Sequence, residues 1–156
     1  MDFSLTNEQM MIKEMVRDFA VKEVKPLAIE LDKEAKFSTH LFKRMGELGL
    51  LGIPFPEKYG GIGSDTIAYA IAVEEIGKAC GGTGLSYAAA VSLGASPIYY
   101  FGTEEQKQQF ESEIKALDGV NTVVFKNKQE ALEDMKSRFK NNQSLMTGYE
   151  GENNIF

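Results

Sequence analysis

Apolar residues recur at every third or fourth position from Thr6 to Leu117, the spacing expected of helices with one buried face. Side chains that can bond the free N–H groups of a first helical turn mark where these helices begin. The first and last starts are capping boxes, in which the cap residue and the residue three positions later bond each other's backbone. The pattern predicts helices beginning at Thr6, Pro26, His40 (capped by Ser38 or Thr39), Ser64 or Asp65, Thr83 and Thr103.

The segment 52–63 interrupts the helical pattern with two prolines and four glycines, a composition that excludes regular structure. It nevertheless carries the large apolar residues Ile53, Phe55, Tyr59 and Ile62. We therefore expect this loop to pack against the helices.

The helix that follows this loop is predicted to have one apolar and one charged face. The apolar face consists of Ile67, Ala70 and Ile71, and the charged face of Glu74, Glu75 and Lys78. Glu74 and Glu75 resemble an acid–base pair at first sight, but adjacent residues on a helix point to different sides. A solvent-exposed charged face is the interpretation that we favour.

The next helix, 83–94, consists almost entirely of small and apolar residues. Because none of its faces is polar, we expect it to be buried on every side. Pro97 is expected to break the helix and to begin another turn or two. Small side chains let a backbone lie close to another helix or to a ligand tunnel. Those of this stretch are Ala88, Ala89, Ala90, Ser92, Gly94 and Ala95.

The character of the chain changes after Gly119. The β-branched and aromatic run 120–125 predicts a strand, and a further helix is predicted from Asn127. A single strand cannot form a sheet alone, so this segment lacks a partner within the chain or finds one elsewhere. The predicted fold is therefore mainly α, with a helical bundle over 1–109 and a small α+β appendage (helix–strand–helix) over 110–156.

Composition narrows the choice of partners and compartment. The chain has 156 residues and a net charge of −6, which argues against a nucleic-acid partner. Its single cysteine, Cys80, excludes an internal disulfide, supports no metal cluster and is expected in the core. The apolar run 84–101 is interrupted by Gly94 and Pro97 and is too short for a membrane span. No basic and then apolar stretch follows Met1, so we expect a cytoplasmic location.

No stretch carries a complete catalytic motif. His40 is the single histidine, and no Ser or Cys relay partner is evident near it. The glycines at 60–63 and 81–84 follow no predicted strand and match neither the dinucleotide-binding nor the P-loop spacing. The residues by themselves therefore predict a mostly helical protein and assign it no reaction.

Several motifs in a fixed order point to a known family. They are DFSLT at 2–6, LGLLGIP at 48–54 with YGG at 59–61, VEEI at 73–76, GLSY at 84–87 with SLG at 92–94, and FGTEEQK at 101–107. Through these motifs residues 1–109 resemble the N-terminal helical domain of the acyl-CoA dehydrogenases, closest to the short-chain (butyryl-CoA) branch.

The resemblance implies α,β-dehydrogenation of a short-chain acyl-CoA thioester. In that family a glutamate base removes the α-proton, the β-hydrogen passes as hydride to FAD, and the electrons continue to an electron-transfer flavoprotein. Carried over by position, Leu85, Ser86 and Ala89 face the acyl chain at the far end of its tunnel. Tight helix packing is the alternative role for these three residues.

The chain also departs from the family pattern. The family's middle β-domain and C-terminal helical domain, which hold FAD and the glutamate base, have no counterpart in these 156 residues, and no carboxylate here matches the base. We therefore expect a fragment of such an enzyme, inactive by itself, whose uncovered apolar faces favour self-association.

The end of the chain carries a second resemblance. IKALDGV at 114–120, Phe125, the segment 128–132 and GYEGEN at 148–153 give residues 111–156 a similarity to part of the extracytoplasmic domain of FtsX. FtsX is the membrane subunit of a cell-division complex that activates peptidoglycan hydrolases. This similarity implies an alternative function, a non-catalytic interaction module. A natural fusion, an engineered chimera and a sequence error all fit such a two-part chain.

Overall fold

The computed structural model describes residues 3–115 of the chain. Seven α-helices lie in this part: α1 (Asn7–Phe19), α2 (Ala28–Glu34), α3 (Thr39–Glu47), α4 (Thr66–Ala79), α5 (Gly81–Ala89), α6 (Ser96–Phe101) and α7 (Glu104–Lys115). The helices are connected or extended by short turns. Two are π turns, Ala20–Val24 and Ala90–Ala95, and three are 3-10 turns, Lys25–Leu27, Leu50–Gly52 and Glu57–Tyr59. Residues 3–115 contain no strand, which agrees with the mainly α prediction. The strand predicted at 120–125 and the helix predicted from Asn127 lie outside the described residues.

Both predicted capping boxes are confirmed. The Gln9 backbone N–H donates to Thr6 Oγ1 at 3.2 Å, and the Thr6 backbone N–H donates to Gln9 Oε1 at 3.0 Å. Likewise, the Gln106 backbone N–H donates to Thr103 Oγ1 at 3.2 Å, and the Thr103 backbone N–H donates to Gln106 Oε1 at 2.8 Å. The starts of α1 and α7 are therefore fixed by local sequence.

For two helices the sequence left two candidate cap residues each, and side-chain hydrogen bonds show which residue is the cap. Ser38 caps α3, since its Oγ accepts from the Leu41 N–H at 3.3 Å. Asp65 caps α4, since its Oδ1 accepts from the Ala68 N–H at 2.7 Å. The other carboxylate oxygen of Asp65 accepts from Gln9 Nε2 at 2.7 Å, so this cap also ties α4 to α1.

A core of fully buried side chains lies where α1, α3, α4 and α5 meet. Its largest members are Tyr87, Leu41, Met45, Leu50, Ile53, Ile76, Val16, Val24 and Val91. The Tyr87 hydroxyl is satisfied there because it donates to the Leu50 carbonyl at 2.9 Å. Burial raises the pKa of Tyr87, so this phenol stays neutral and serves as a donor.

The glycine-rich loop 52–63 packs against the helices as predicted. Ile53 and Phe55 are buried, and Tyr59 and Ile62 are half-buried. The loop closes on itself so tightly that a Cβ on Gly61 would lie 1.9 Å from the Phe55 carbonyl oxygen. Only glycine fits at this position, and the loop is a packed element.

The predicted faces of α4 need correction. Ile67 is 56% exposed and Ala70 is also exposed, although both were assigned to the apolar face. The buried stripe instead consists of Ala68, Ile71, Ala72, Glu75 and Ile76. Both α1 and α5 pack on this helix, and Glu75 belongs to its buried side.

Glu75 was predicted on a solvated face, which is wrong, since only 3% of its side chain is exposed. The Arg17 guanidinium of α1 donates to both carboxylate oxygens, from Nε at 3.0 Å and from Nη2 at 3.2 Å. Lys78 Nζ lies 2.9 Å from Oε1. A buried carboxylate is tolerated here because these partners satisfy it.

The prediction that helix 83–94 is buried on every side is also wrong. Leu85 is 72% exposed and Leu93 is 76% exposed, whereas Tyr87 and Val91 on the opposite side are buried. Burial requires a covering element, and within the described residues α4 and the turn Leu50–Gly52 cover one side only. The further helical turns predicted to begin at Pro97 are confirmed as α6, which has the proline in its first turn and joins α5 through the π turn Ala90–Ala95.

Candidate functional site

The candidate site is the open side of the helical path formed by α5, the π turn and α6. We call this side the outer face; it consists of Leu85, Ala89, Leu93, Tyr100 and Phe101. Apart from Ala89, which is half-buried, these side chains are mostly exposed. The outer face is the main apolar surface that this path presents within residues 3–115.

The opposite side of α5 is pressed against α4 at a pair of glycines. A Cβ on Gly84 would lie 2.7 Å from the Gly77 Cα and 2.9 Å from its backbone nitrogen. No side chain fits between the two helices at this crossing. Close helix packing is therefore the role of Gly84, which leaves the other side of α5 free.

The three residues predicted to face an acyl chain all lie on α5. Leu85 is exposed, and Ser86 and Ala89 are half-buried. Leu85 and Ala89 are four residues apart, and Ser86 and Ala89 three apart, so Ala89 neighbours both on the helix surface. Contact of these residues with an acyl chain stays a prediction.

No residue from 3 to 115 has the properties of a catalytic base at this face. Glu75 is the buried carboxylate of this part of the chain. Its hydrogen bonds from Arg17 lower the pKa of Glu75, with a further contribution from Lys78. A general base for a carbon acid is favoured by a raised pKa, whereas the pKa of Glu75 is lowered.

His40 and Cys80, the remaining candidates for chemistry, lie apart from the outer face. His40 is exposed in the first turn of α3. Cys80 is a half-buried free thiol in the extended link between α4 and α5 and packs against the core, roughly as predicted. Residues 3–115 contain no group of His, Cys, Asp and Glu that could hold a metal ion. Within the same residues, no helix has the length and apolar character needed to cross a membrane.

The described residues do not fit a flavin site by themselves. Flavin phosphates are usually held by open backbone N–H groups at a strand-to-helix turn. The glycines at 60–63 are packed against Phe55, and those at 81–84 belong to the first turn of α5, which follows α4. Neither segment follows a strand.

Sequence reasoning missed the hydroxyl groups that hold the π turn behind the outer face. Tyr69 on α4 donates its hydroxyl to the Ala88 carbonyl at 3.0 Å, and Ser92 Oγ donates to the same carbonyl at 2.6 Å. Ser96 Oγ donates to the Val91 carbonyl at 2.9 Å. The sequence signal for such a turn is Pro97, which removes a helical N–H and is preceded by two serines.

A second group missed by the sequence ties the glycine-rich loop to α7. The Tyr59 hydroxyl donates to a Glu104 carboxylate oxygen at 2.6 Å. Lys107 Nζ lies 5.0 Å from the Tyr59 ring centroid and 5.6 Å from that of Tyr99. The start of α7 is therefore anchored to the bundle.

Comparison with known proteins gives two family-model matches. The model described as the N-terminal domain of acyl-CoA dehydrogenase matches residues 6–115, and the model of the FtsX extracellular domain matches residues 93–156. The two matches overlap in the second half of the helical path and in α7.

Curated relatives match the same part of the chain. The probable acyl-CoA dehydrogenase YngJ of Bacillus subtilis is 70% identical over 108 residues, which are 69% of this chain and 28% of the relative. The short-chain specific acyl-CoA dehydrogenase of Clostridium acetobutylicum is 52% identical over 110 residues, 70% of this chain and 29% of the relative. The chain thus spans less than a third of the length of these relatives.

Solved structures share the fold of this bundle. Butyryl-CoA dehydrogenase from Megasphaera elsdenii aligns with a TM-score of 0.67 at 40% identity, over 70% of this chain and 30% of that one. A structure of the electron transferring flavoprotein of Acidaminococcus fermentans aligns with a TM-score of 0.69 at 48% identity. The alignment covers 77% of this chain and 31% of that one. The Bacillus anthracis acyl-CoA dehydrogenase complexed with FAD aligns with a TM-score of 0.64 at 41% identity, over 69% of this chain and 18% of that one.

Proposed function

The chain belongs to the acyl-CoA dehydrogenase family, and from this premise we propose that its bundle forms one wall of the acyl tunnel in a flavin-dependent dehydrogenase of short-chain acyl-CoA. The observation that carries the proposal is the outer face. A helix that is packed on one side and open and apolar on the other is suited to bind an apolar ligand once further elements enclose it. Leu85, Ser86 and Ala89 are the residues that we assign to the wall.

The proposal divides the reaction between this bundle and other parts of the enzyme. Bound FAD supplies the hydride acceptor, and the described residues neither cradle it nor offer a base. Both groups therefore belong, in this proposal, to the regions of the relatives that the chain does not match. The bundle's own contribution is to bind and orient the acyl chain and to exclude water from its end.

The named relatives and structures support a substrate and a partner. The short-chain specific enzyme of C. acetobutylicum and the butyryl-CoA dehydrogenase of M. elsdenii favour a short acyl chain. The likeness to the A. fermentans structure favours an electron-transfer flavoprotein as electron acceptor. A cytoplasmic location belongs to the same proposal, and fractionation of cells that express the tagged chain tests it.

The test uses a chimera in which residues 1–109 of this chain replace the matched segment of the C. acetobutylicum enzyme. We expect Ala89→Leu to raise the ratio of kcat/KM for butyryl-CoA to that for hexanoyl-CoA by about tenfold, because the larger side chain shortens the tunnel. Ala70→Leu, the same change at an exposed position of α4, is the matched control and leaves the ratio unchanged. An unchanged ratio in Ala89→Leu contradicts the assignment of the wall.

A second candidate function rests on the match to the FtsX extracellular domain at 93–156. In this alternative the chain is a non-catalytic interaction module, and residues 111–156 bind a partner of cell division. Binding of the purified chain to a peptidoglycan hydrolase, lost on deletion of 111–156 and kept in Ala89→Leu, supports it. A chain that binds acyl-CoA in the chimera and no hydrolase by itself contradicts it.

A further inference from the structure

The π turn Ala90–Ala95 corrects the register of the helical path. Each residue of an α-helix advances about 100°, so Tyr99, twelve positions after Tyr87, would lie about 120° away from it around the axis. A π turn holds one residue more than the α turn it replaces, which reduces the offset to about 20°. This agrees with the packing, since Tyr87 is buried and Tyr99 packs on Phe55 with ring centroids 5.5 Å apart.

The same correction aligns the outer face. Leu93 is eight positions after Leu85, so in a regular α-helix the two would lie about 80° apart around the helix axis. The extra residue of the π turn reduces this angle. Both side chains are exposed to a similar degree, at 72% and 76%. The π turn therefore brings Leu93 toward the line of Leu85 and Ala89.

Hydroxyl groups stabilise this turn at both ends. Where a π turn replaces α-helical hydrogen bonds, backbone carbonyls become available to side-chain donors. The Ala88 carbonyl accepts from Tyr69, which reaches it from α4 at 3.0 Å, and from Ser92 at 2.6 Å, and the Val91 carbonyl accepts from Ser96 at 2.9 Å. Tyr69 is the one of these donors that lies on a different helix, so it fixes the turn relative to the bundle.

We propose that Tyr69 is a positioning residue that sets acyl-chain length. Its hydroxyl holds the π turn and thereby keeps Leu93 on the outer face, where it closes the tunnel beyond Ala89. This proposal rests on the function proposed above. Without the hydroxyl the turn relaxes toward an α-helix, Leu93 rotates away, and longer acyl chains fit.

The test compares two Tyr→Phe variants of the chimera whose parent rings lie 5.9 Å apart. For Tyr69→Phe we expect the butyryl-to-hexanoyl ratio of kcat/KM to fall by about threefold or more, the opposite direction to Ala89→Leu, mainly through KM for hexanoyl-CoA. Tyr87→Phe removes the hydroxyl that bonds Leu50 and is expected to lower the unfolding midpoint and leave the ratio unchanged. Dissociation constants of the non-reactive butyl and hexyl thioether analogues should shift with the ratio.

The outcomes separate this proposal from the one on which it rests. If Ala89→Leu shifts the ratio and Tyr69→Phe does not, the positioning role is wrong and the wall stands. If neither variant shifts the ratio in a folded, flavin-loaded chimera, both proposals are wrong. If Tyr69→Phe and Tyr87→Phe change the midpoint and the ratio alike, Tyr69 has a merely structural role and the proposal is overturned.

Discussion

The two faces of the helical path from Gly81 to Phe101 are both mainly apolar, but they differ in burial and packing. The inner face, which we define as Gly84, Tyr87, Val91 and Tyr99, packs on the bundle, and its first three members are buried. The outer face is apolar and mostly open. An apolar side chain is thus part of the packed core on one face and part of an open surface on the other, and only contacts with neighbouring elements distinguish the two.

This difference predicts that inner-face changes alter stability and outer-face changes alter binding. A mutation that lowers stability from the outer face, or one that alters acyl-chain preference from the inner face without unfolding, would break the comparison. Gly84→Val and Leu93→Ser test it directly, and a change in the ion pair of α4 tests the packed side of the bundle; they follow from the largest expected effect to the smallest.

Gly84→Val should have the largest effect. Its side chain would enter the space 2.7 Å from the Gly77 Cα, where both helices would have to move apart. We expect a loss of about 3 kcal/mol in the free energy of unfolding, measured by urea denaturation. Gly82→Ala is the control, because nothing lies within 4 Å of a Cβ there, and it should leave stability equal or slightly raised. Equal effects of the two variants would contradict the close crossing.

The ion pair between the buried Glu75 carboxylate and the exposed Arg17 side chain should make stability depend on pH. Arg17 holds the pKa of Glu75 below its ordinary value, so the carboxylate stabilises the fold above about pH 4.3, and this contribution is lost as pH falls through the lowered pKa. We expect the unfolding midpoint to fall on acidification, and to fall less in Glu75→Gln, which should start from a lower midpoint at pH 7. Parallel pH profiles for the two proteins would refute this role of Glu75.

Leu93→Ser should have the smallest effect on stability, within about 0.5 kcal/mol, because the side chain is 76% exposed. It removes apolar area from the outer face, so we expect less self-association of the isolated chain in sedimentation velocity. Val91→Ser, two residues away on the inner face, is the contrast and should be clearly destabilising. A large loss of stability in Leu93→Ser would mean that the outer face is covered.

Local signals in the sequence predicted the helices well. Thr6 with Gln9 and Thr103 with Gln106 begin helices by hydrogen bonds between residues three positions apart, which can be read from sequence. The packing of loop 52–63 followed from its large apolar residues. These features depend on neighbours along the chain.

The faces of the helices were predicted less well because they depend on distant residues. Glu75 is inward since Arg17, fifty-eight positions earlier, satisfies its charge. Leu85 and Leu93 are outward since the described residues place no element over them. The helical turns that begin at Pro97 were predicted, but the π turn that joins them to α5 was not, because one of its hydrogen-bond donors, Tyr69, comes from another helix. The positions of Leu85, Ser86 and Ala89 on one helix followed from sequence, and their exposure did not.

The most direct test of the central claim, that the outer face binds the acyl chain, is photolabelling of the chimera with a short acyl-CoA that carries a diazirine at its terminal carbon. Trypsin cleaves after Lys78 and Lys107, so the whole outer face falls in one peptide, 79–107. We predict that the label is found in this peptide at Leu85, Ser86 or Ala89 and is displaced by butyryl-CoA. Labelling displaced by butyryl-CoA that lies only in other peptides, with 79–107 unmodified, would contradict the account.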